Sequence, residues 1–199
     1  MSERENRWEF THTKERISRV ALRLFSQKGF KGTTIKDIAR EVGITEGAIY
    51  RHFRSKEDII EHLVERITGE IRELIREEVL TKKDIRKQVD SLIEVLINYA
   101  FDNPDAFRFL TVYHILRENG RNGKLPGNII IQLFREAYAG GKLAVSPEVA
   151  LSLIIGSVER LFILWELGLL KMQREKLIEE VKEVIEKALF DVSDSMRTG

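Results

Sequence analysis

Residues 34–53 read TIKDIAREVGITEGAIYRHF, and the fold turns on how this stretch divides. Ile35, Ile38, Ala39 and Val42 recur at helical spacing, so residues 35–42 carry one apolar face. Thr34 stands in front of that run as an N-cap, and Asp37 three residues later makes a variant of the capping box. Gly43 closes the helix and permits the positive φ of a tight turn. Thr45 then caps a second short helix that turns Ile49 and Phe53 inward. Two short helices joined by a glycine turn form a helix-turn-helix. Ile38, Ala39, Val42, Ile44 and Ile49 knit the pair together, and Ala39 is small enough for close packing. A plain helical hairpin shares this spacing. A reader of DNA requires it, because only a helix or a two-stranded ribbon enters the major groove, and a second helix must hold the reader at a fixed angle.

The same periodicity extends outward. Ile17, Val20, Ala21, Leu24 and Phe25 form a stripe that ends at Lys28-Gly29, with the glycine in a C′ position. Ser55, with Asp58 three residues on, opens a long helix to Val79, whose stripe is Ile60, Leu63, Val64, Ile67, Ile71, Leu74 and Ile75. Asp84 opens another, and Asn103-Pro104 reads as N-cap and N1 of the next. A turn-rich loop covers 119–127, a helix runs from about Pro126 to Gly140-Gly141, and Ser146-Pro147-Glu148 starts a helix to Leu167 that is apolar almost all round. The last helix turns Leu177, Ile178, Val181, Val184, Ile185, Ala188 and Leu189 inward. The expectation is an all-α chain of about nine helices. It has an N-terminal three-helix domain with the helix-turn-helix over residues 1–54 and a C-terminal helical domain over 55–199.

Charge is uneven along the chain. Residues 1–60 hold 13 Lys and Arg against 9 Asp and Glu, a net of +4, while the remaining residues hold 20 against 23, a net of −3. A basic front and an acidic back suit a chain whose front meets phosphate. There is no Cys, which removes disulfides, thiol catalysis and thiolate metal sites. No apolar segment opens the chain and none approaches the ~20 residues that span a bilayer, so a cytoplasmic location away from membranes is expected.

Enzyme signatures are missing. Ser157 lacks the flanking glycines of a nucleophile elbow, and Gly140-Gly141-Lys142 lacks the rest of a P-loop. His12, His52, His62 and His114 form no zinc-binding pair on one helix face. No catalytic residue, metal site or cofactor is expected.

The string Ala21-x-x-Leu24-Phe25, Lys28-Gly29-Phe30, Thr33-Thr34-Ile35-x-x-Ile38-Ala39, Val42-Gly43-Ile44, Gly47-x-Ile49-Tyr50-x-His52-Phe53, Ser55-Lys56-Glu57-Asp58 resembles the N-terminal domain of the TetR/AcrR regulators. The resemblance covers Ile17 to Ile60. It implies a ligand-responsive DNA-binding regulator, commonly a repressor, that binds palindromic operator DNA. It makes Thr45 to His52 the recognition helix, with Thr45, Glu46 and Gly47 entering the groove first. Thr34 then contacts phosphate through its hydroxyl and the helix start, Tyr50 and His52 meet phosphate and sugar, Lys56 binds phosphate, and Arg51 reaches a guanine edge or a phosphate. An N-terminal arm, Met1 to Thr11, precedes the expected first helix and carries Arg4 and Arg7, which suit a minor groove.

The resemblance also implies a homodimer through the last two helices and a small-molecule effector in the C-terminal half. An apolar helix over 147–167 needs burial on two sides, one of them against a twin. The effector candidates are the aromatic residues Phe101, Phe109, Tyr113, Phe134, Tyr138, Phe162 and Trp165, with Arg117 and Glu159 as polar groups in apolar settings. That lining suits an apolar or amphipathic effector, although most core aromatics simply fill space.

Overall fold

The computed structural model describes residues 3–116 and 127–190. Its elements are α1 (Glu3–Lys28), α2 (Ile35–Val42), α3 (Glu46–Tyr50), α4 (Lys56–Leu74) with a π-helical turn at Ile75–Val79, α5 (Ile85–Asp102), α6 (Pro104–Leu116), α7 (Gly127–Ala139), α8 (Pro147–Glu166) and α9 (Arg174–Phe190). The described residues contain no strand, and the chain is all-α with the helix order expected from its periodicity.

Local chemistry sets most of these boundaries. Thr34 accepts from the Asp37 amide at 3.1 Å while the Thr34 amide donates to Asp37 Oδ2 at 3.1 Å, completing the capping box. Gly43 adopts φ 78° and ends α2 by donating to the carbonyls of Ala39 and Arg40. Ser146 caps α8 with Pro147 at its first position. Two expectations need correction. Helix α1 begins at Glu3, so most of the expected arm is helical backbone, in keeping with its Glu and Arg content. The buried stripe of α4 starts at Ile59, which is fully buried, and not at Ile60, because the 59–63–67–71–75 ridge faces the core.

The chain folds as two compact units, residues 1–67 with 103–120, and residues 68–102 with 121–199. The sequence placed its boundary at 54/55. The first unit instead keeps α4 to Ile67 and adds α6 from much further along the chain. The reason is aromatic. Phe109 of α6 meets Phe30 edge-on at 5.3 Å and lies 6.2 Å from Phe25, and Tyr113 meets Phe30 at 6.4 Å. Ser26 on α1 also donates to Asp105 at 2.7 Å. The remaining core of this unit comes from Ile17 and Ala21 of α1, Ile38 and Val42 of α2, Ile49 of α3, Phe53, and Leu63 of α4.

In the second unit α5 packs against the π-helical turn, α8 and α9, and α7 packs against α8. Leu92, Ile93, Phe134, Ile154 and Leu189 fill its core. The Ala144 amide donates to the Leu189 carbonyl at 2.8 Å, tying the α7–α8 connection to the end of α9. No helix among the described residues is long and apolar enough to cross a membrane.

Phe109 has no exposed surface and joins two rings from α1 and its following turn. Its replacement by Ala is expected to cost the first unit about 3–5 kcal/mol by leaving a cavity. Urea unfolding would check this, and a loss under about 1 kcal/mol would remove the cluster from the core.

Candidate nucleic-acid interface

The inner faces of α2 and α3 are buried and their outer faces carry polar groups. Arg16 of α1 donates to the Val42 carbonyl at 2.8 Å, and Arg23 pairs with Glu41 at 2.5 Å, so α1 holds the C-terminal end of α2 from two sides. Thr45 accepts from the Ala48 amide at 3.2 Å and starts α3. Ile49 is fully buried, whereas Tyr50, on the next position, is 53% exposed. Thr34, Thr45, Glu46, Gly47 and Arg51 are also exposed, along with Lys36, Arg40 and Arg54. Helix α3 is shorter than the recognition helix expected over Thr45 to His52. It ends at Tyr50, and Arg51 and His52 lie in the turn that follows, where the His52 amide still bonds the Ile49 carbonyl.

Two site residues carry local commitments that the sequence did not reveal. The Thr34 hydroxyl donates to Asp37 Oδ2 at 2.7 Å and accepts from the Asp37 amide, so its donor is spent on the cap. These hydrogen bonds hold the Asp37 carboxyl below the usual carboxylate range. Lys56 donates from Nζ to the carbonyls of Phe30 at 2.9 Å and Thr33 at 3.2 Å.

Glycines separate by purpose. A Cβ on Gly47 would meet nothing nearer than Thr45 Oγ1 at 3.9 Å, so nothing in the fold demands glycine there. A Cβ on Gly32 would lie 2.3 Å from the Lys28 carbonyl oxygen. Gly32 is thus required by the α1–α2 turn. Sequence reading passed over it; its only signal was a second glycine three residues after Gly29.

Both histidines of the region resist protonation. Burial lowers His52 first, followed by the Arg51 and Lys14 charges. Burial likewise lowers His62, whose ring lies 5.3 Å from Phe53, with Lys14 and Arg66 adding to the effect.

The effector candidates do not gather in one unit. Phe109 and Tyr113 belong to the first unit and pack with Phe25 and Phe30. In the second, Trp165 lies 4.9 Å from Phe101 and 5.8 Å from Phe162, and Arg174 sits over Phe101 while pairing with Asp102. Phe134 is fully buried, whereas Tyr138, one turn further along the same face and next to the end of α7, is 49% exposed. Arg117 lies outside the described residues. Glu159 is half-buried on α8, and burial pushes its carboxyl above the ordinary range.

Residues 17–63, which hold α2, α3 and the start of α4, match the family described as bacterial regulatory proteins, tetR family. This N-terminal segment is a tetR-family domain. Over 107 residues the chain is 33% identical to the nucleoid occlusion factor SlmA of Aliivibrio fischeri (strain MJ11), covering 54% of this chain and 55% of that protein. Over 120 residues it is 31% identical to IcaR of Staphylococcus aureus (strain Newman), the HTH-type negative transcriptional regulator of the icaADBC biofilm operon, covering 60% and 61%. The chain therefore spans a little over half the length of these relatives. Neither is named as an enzyme. A crystal structure of a tetR family transcription regulator from Shewanella sp. PV-4 shares the fold of this chain, with a TM-score of 0.74 at 24% identity over 90% of this chain and 99% of that one.

The two glycines give opposite expectations. Gly32→Ala should lower the melting temperature, and Gly47→Ala should leave it unchanged or raise it, since Ala is the better helix former. Calorimetry distinguishes them, and equal effects would contradict this geometry. The histidines set a pH dependence. A His with a lowered folded-state pKa is neutral in both states above its ordinary value of 6.5. Below that value the unfolded chain takes up the proton first, so stability falls as pH drops. The melting temperature should decline from pH 7 to pH 5, less steeply in His62→Gln; an identical slope in the variant would exclude His62 as a contributor.

Proposed function

We propose that this chain is a DNA-binding transcriptional regulator that holds a palindromic operator as a homodimer and is released by a small apolar or amphipathic effector. The observation that carries the DNA reading is the outer face of α3. A mostly exposed Tyr50, an open Gly47 and an exposed Arg51 stand opposite a fully buried Ile49 and have no packing role in the fold. Gly47 lets the backbone approach a groove. Thr45 and Arg51 supply donors for base edges or phosphate, and Tyr50 and His52 suit phosphate and sugar. Glu46 accepts only, which fits an amino group on a base edge and not a phosphate. With the Thr34 hydroxyl spent, the phosphate role at α2 passes to its first-turn amides.

The dimer reading rests on α8 and α9. On α8, Val149, Leu153, Gly156, Arg160, Ile163 and Leu167 follow alternating spacings of four and three, away from the core stripe of Ala150, Ile154, Val158 and Phe162. Val149 is 46% exposed, Ile163 36% and Leu167 66%. On α9, Val181, Val184 and Ala188 repeat the pattern; Val184, expected to face inward, is 65% exposed, and Ala188 is exposed as well. Such seams bury themselves against a second copy in a four-helix bundle. Two half-sites about one turn apart require two readers.

The effector reading is supported by the Phe101, Phe162 and Trp165 rings of the second unit, with Glu159 one turn before Phe162. A ligand that binds the DNA-free geometry better would shift the population away from the operator-bound form. A thermal-shift screen with acyl and aromatic compounds tests this, and no stabilised hit would count against it.

Selection from random duplexes at two salt concentrations should enrich a palindrome whose affinity falls steeply with salt. No enrichment at either salt would defeat the DNA reading. Ile163→Glu with Val184→Glu should convert the dimer to a monomer in sedimentation and weaken binding to the two-half-site palindrome; a persistent dimer would place the interface elsewhere.

A further inference from the structure

Resemblance makes Lys56 a phosphate ligand, but its ammonium already has two partners inside the first unit. Nζ donates to the Phe30 and Thr33 carbonyls at 2.9 and 3.2 Å, across 26 and 23 residues of chain. The side chain is half-buried. An ammonium has three protons, so two of them are used.

The bonded carbonyls bracket a turn built to a narrow tolerance. Gly29 enters it at φ 71°. Thr33, fully buried, turns its hydroxyl onto the Leu24 and Gly29 carbonyls at 3.1 and 3.0 Å. Gly32 has no room for a Cβ. The Phe30 ring is pinned edge-on against Phe25 and Phe109. The next residue is Thr34, the N-cap of α2. Two carbonyl oxygens converging on one point repel each other unless a donor sits between them, and a compact cation on a long stem meets that need. Its withdrawal to a phosphate would leave both carbonyls without that donor.

We propose that Lys56 is a positioning residue, which fixes the α1–α2 turn and the start of α2 and thereby sets operator affinity beyond any contact of its own with phosphate. The inference rests on the DNA reading above for its second half; the bracing of the turn stands on the free protein alone.

The test begins without DNA, on the full wild-type chain. Under limited acetylation followed by peptide mass spectrometry, Lys56 should react at least about tenfold more slowly than the exposed Lys31 and Lys36. In Lys56→Met, amides 30–38 should exchange with deuterium about tenfold faster or more, while those of α9 are unchanged. Operator affinity of the same variant should fall by about tenfold or more. The proposal is overturned if Lys56 acetylates as fast as Lys31 or if exchange over 30–38 is unaltered. It is also overturned if affinity falls with the free protein unchanged and the salt slope smaller by about one per protomer, the signature of a lost phosphate contact. Should Lys56→Met fail to fold, wild-type acetylation decides the bracing. Should the wild type enrich no operator, the DNA half fails with the DNA reading, and slow acetylation still marks Lys56 as the brace of the turn.

Discussion

The burial of one aromatic cluster governs the first unit. Phe25 and Phe30 come from α1 and the turn after it, and they are sealed by Phe109 and Tyr113 from α6. Fully burying a ring of this size is worth about 1.5–3 kcal/mol. The cluster also does something hydrophobicity alone does not. By pinning Phe30 it fixes the turn that hands the chain to α2, and hydrogen bonds from Thr33 and Lys56 hold that turn's backbone. The angle at which α2 starts, and therefore where α3 presents Tyr50, follows from packing among rings of α1, the turn after it and α6.

What could be read from the sequence was local. The Thr34–Asp37 box, the left-handed Gly43, and the Thr45 and Ser146 caps each involve residues within four positions, and each formed as its chemistry required. The helix-turn-helix was legible because two caps and a glycine turn bound its short elements on both sides. What could not be read was partnership. An apolar face announces burial without naming its neighbour, so Phe109 and Tyr113 looked like lining for the same site as Phe101 and Trp165. Ile59 and Ile60 both fit a helical stripe until the direction of the core was known. Gly32 is fixed by a carbonyl four residues upstream in a turn whose geometry no periodicity encodes. A lysine at a helix start reads as a free cation, because its two carbonyl partners lie more than twenty residues away.

Helix α8 shows how a composition can mislead about topology. Its residues are apolar on most sides, yet only one stripe is buried. The second stripe contains Gly156, a glycine inside a helix whose Cβ would meet nothing within 4 Å. Such a glycine costs about 1 kcal/mol relative to Ala, and no contact among the described residues accounts for it. Its place in a seam of four-three spacing gives it a use, since it is where another backbone could come closest.

The first unit is discontinuous in sequence, with α6 contributed by residues lying beyond the whole of α5. Its inheritance is therefore linked. A recombination that exchanged residues 1–67 between two relatives would bring a foreign α1 against a resident α6 and set unmatched rings against Phe25 and Phe30. Ala106, Phe109 and Tyr113 are tied by packing to the N-terminal segment, so a change of ring size on one side calls for a matching change on the other. Packing, and not chain order, divides the two units, and the dividing line passes through the sequence three times.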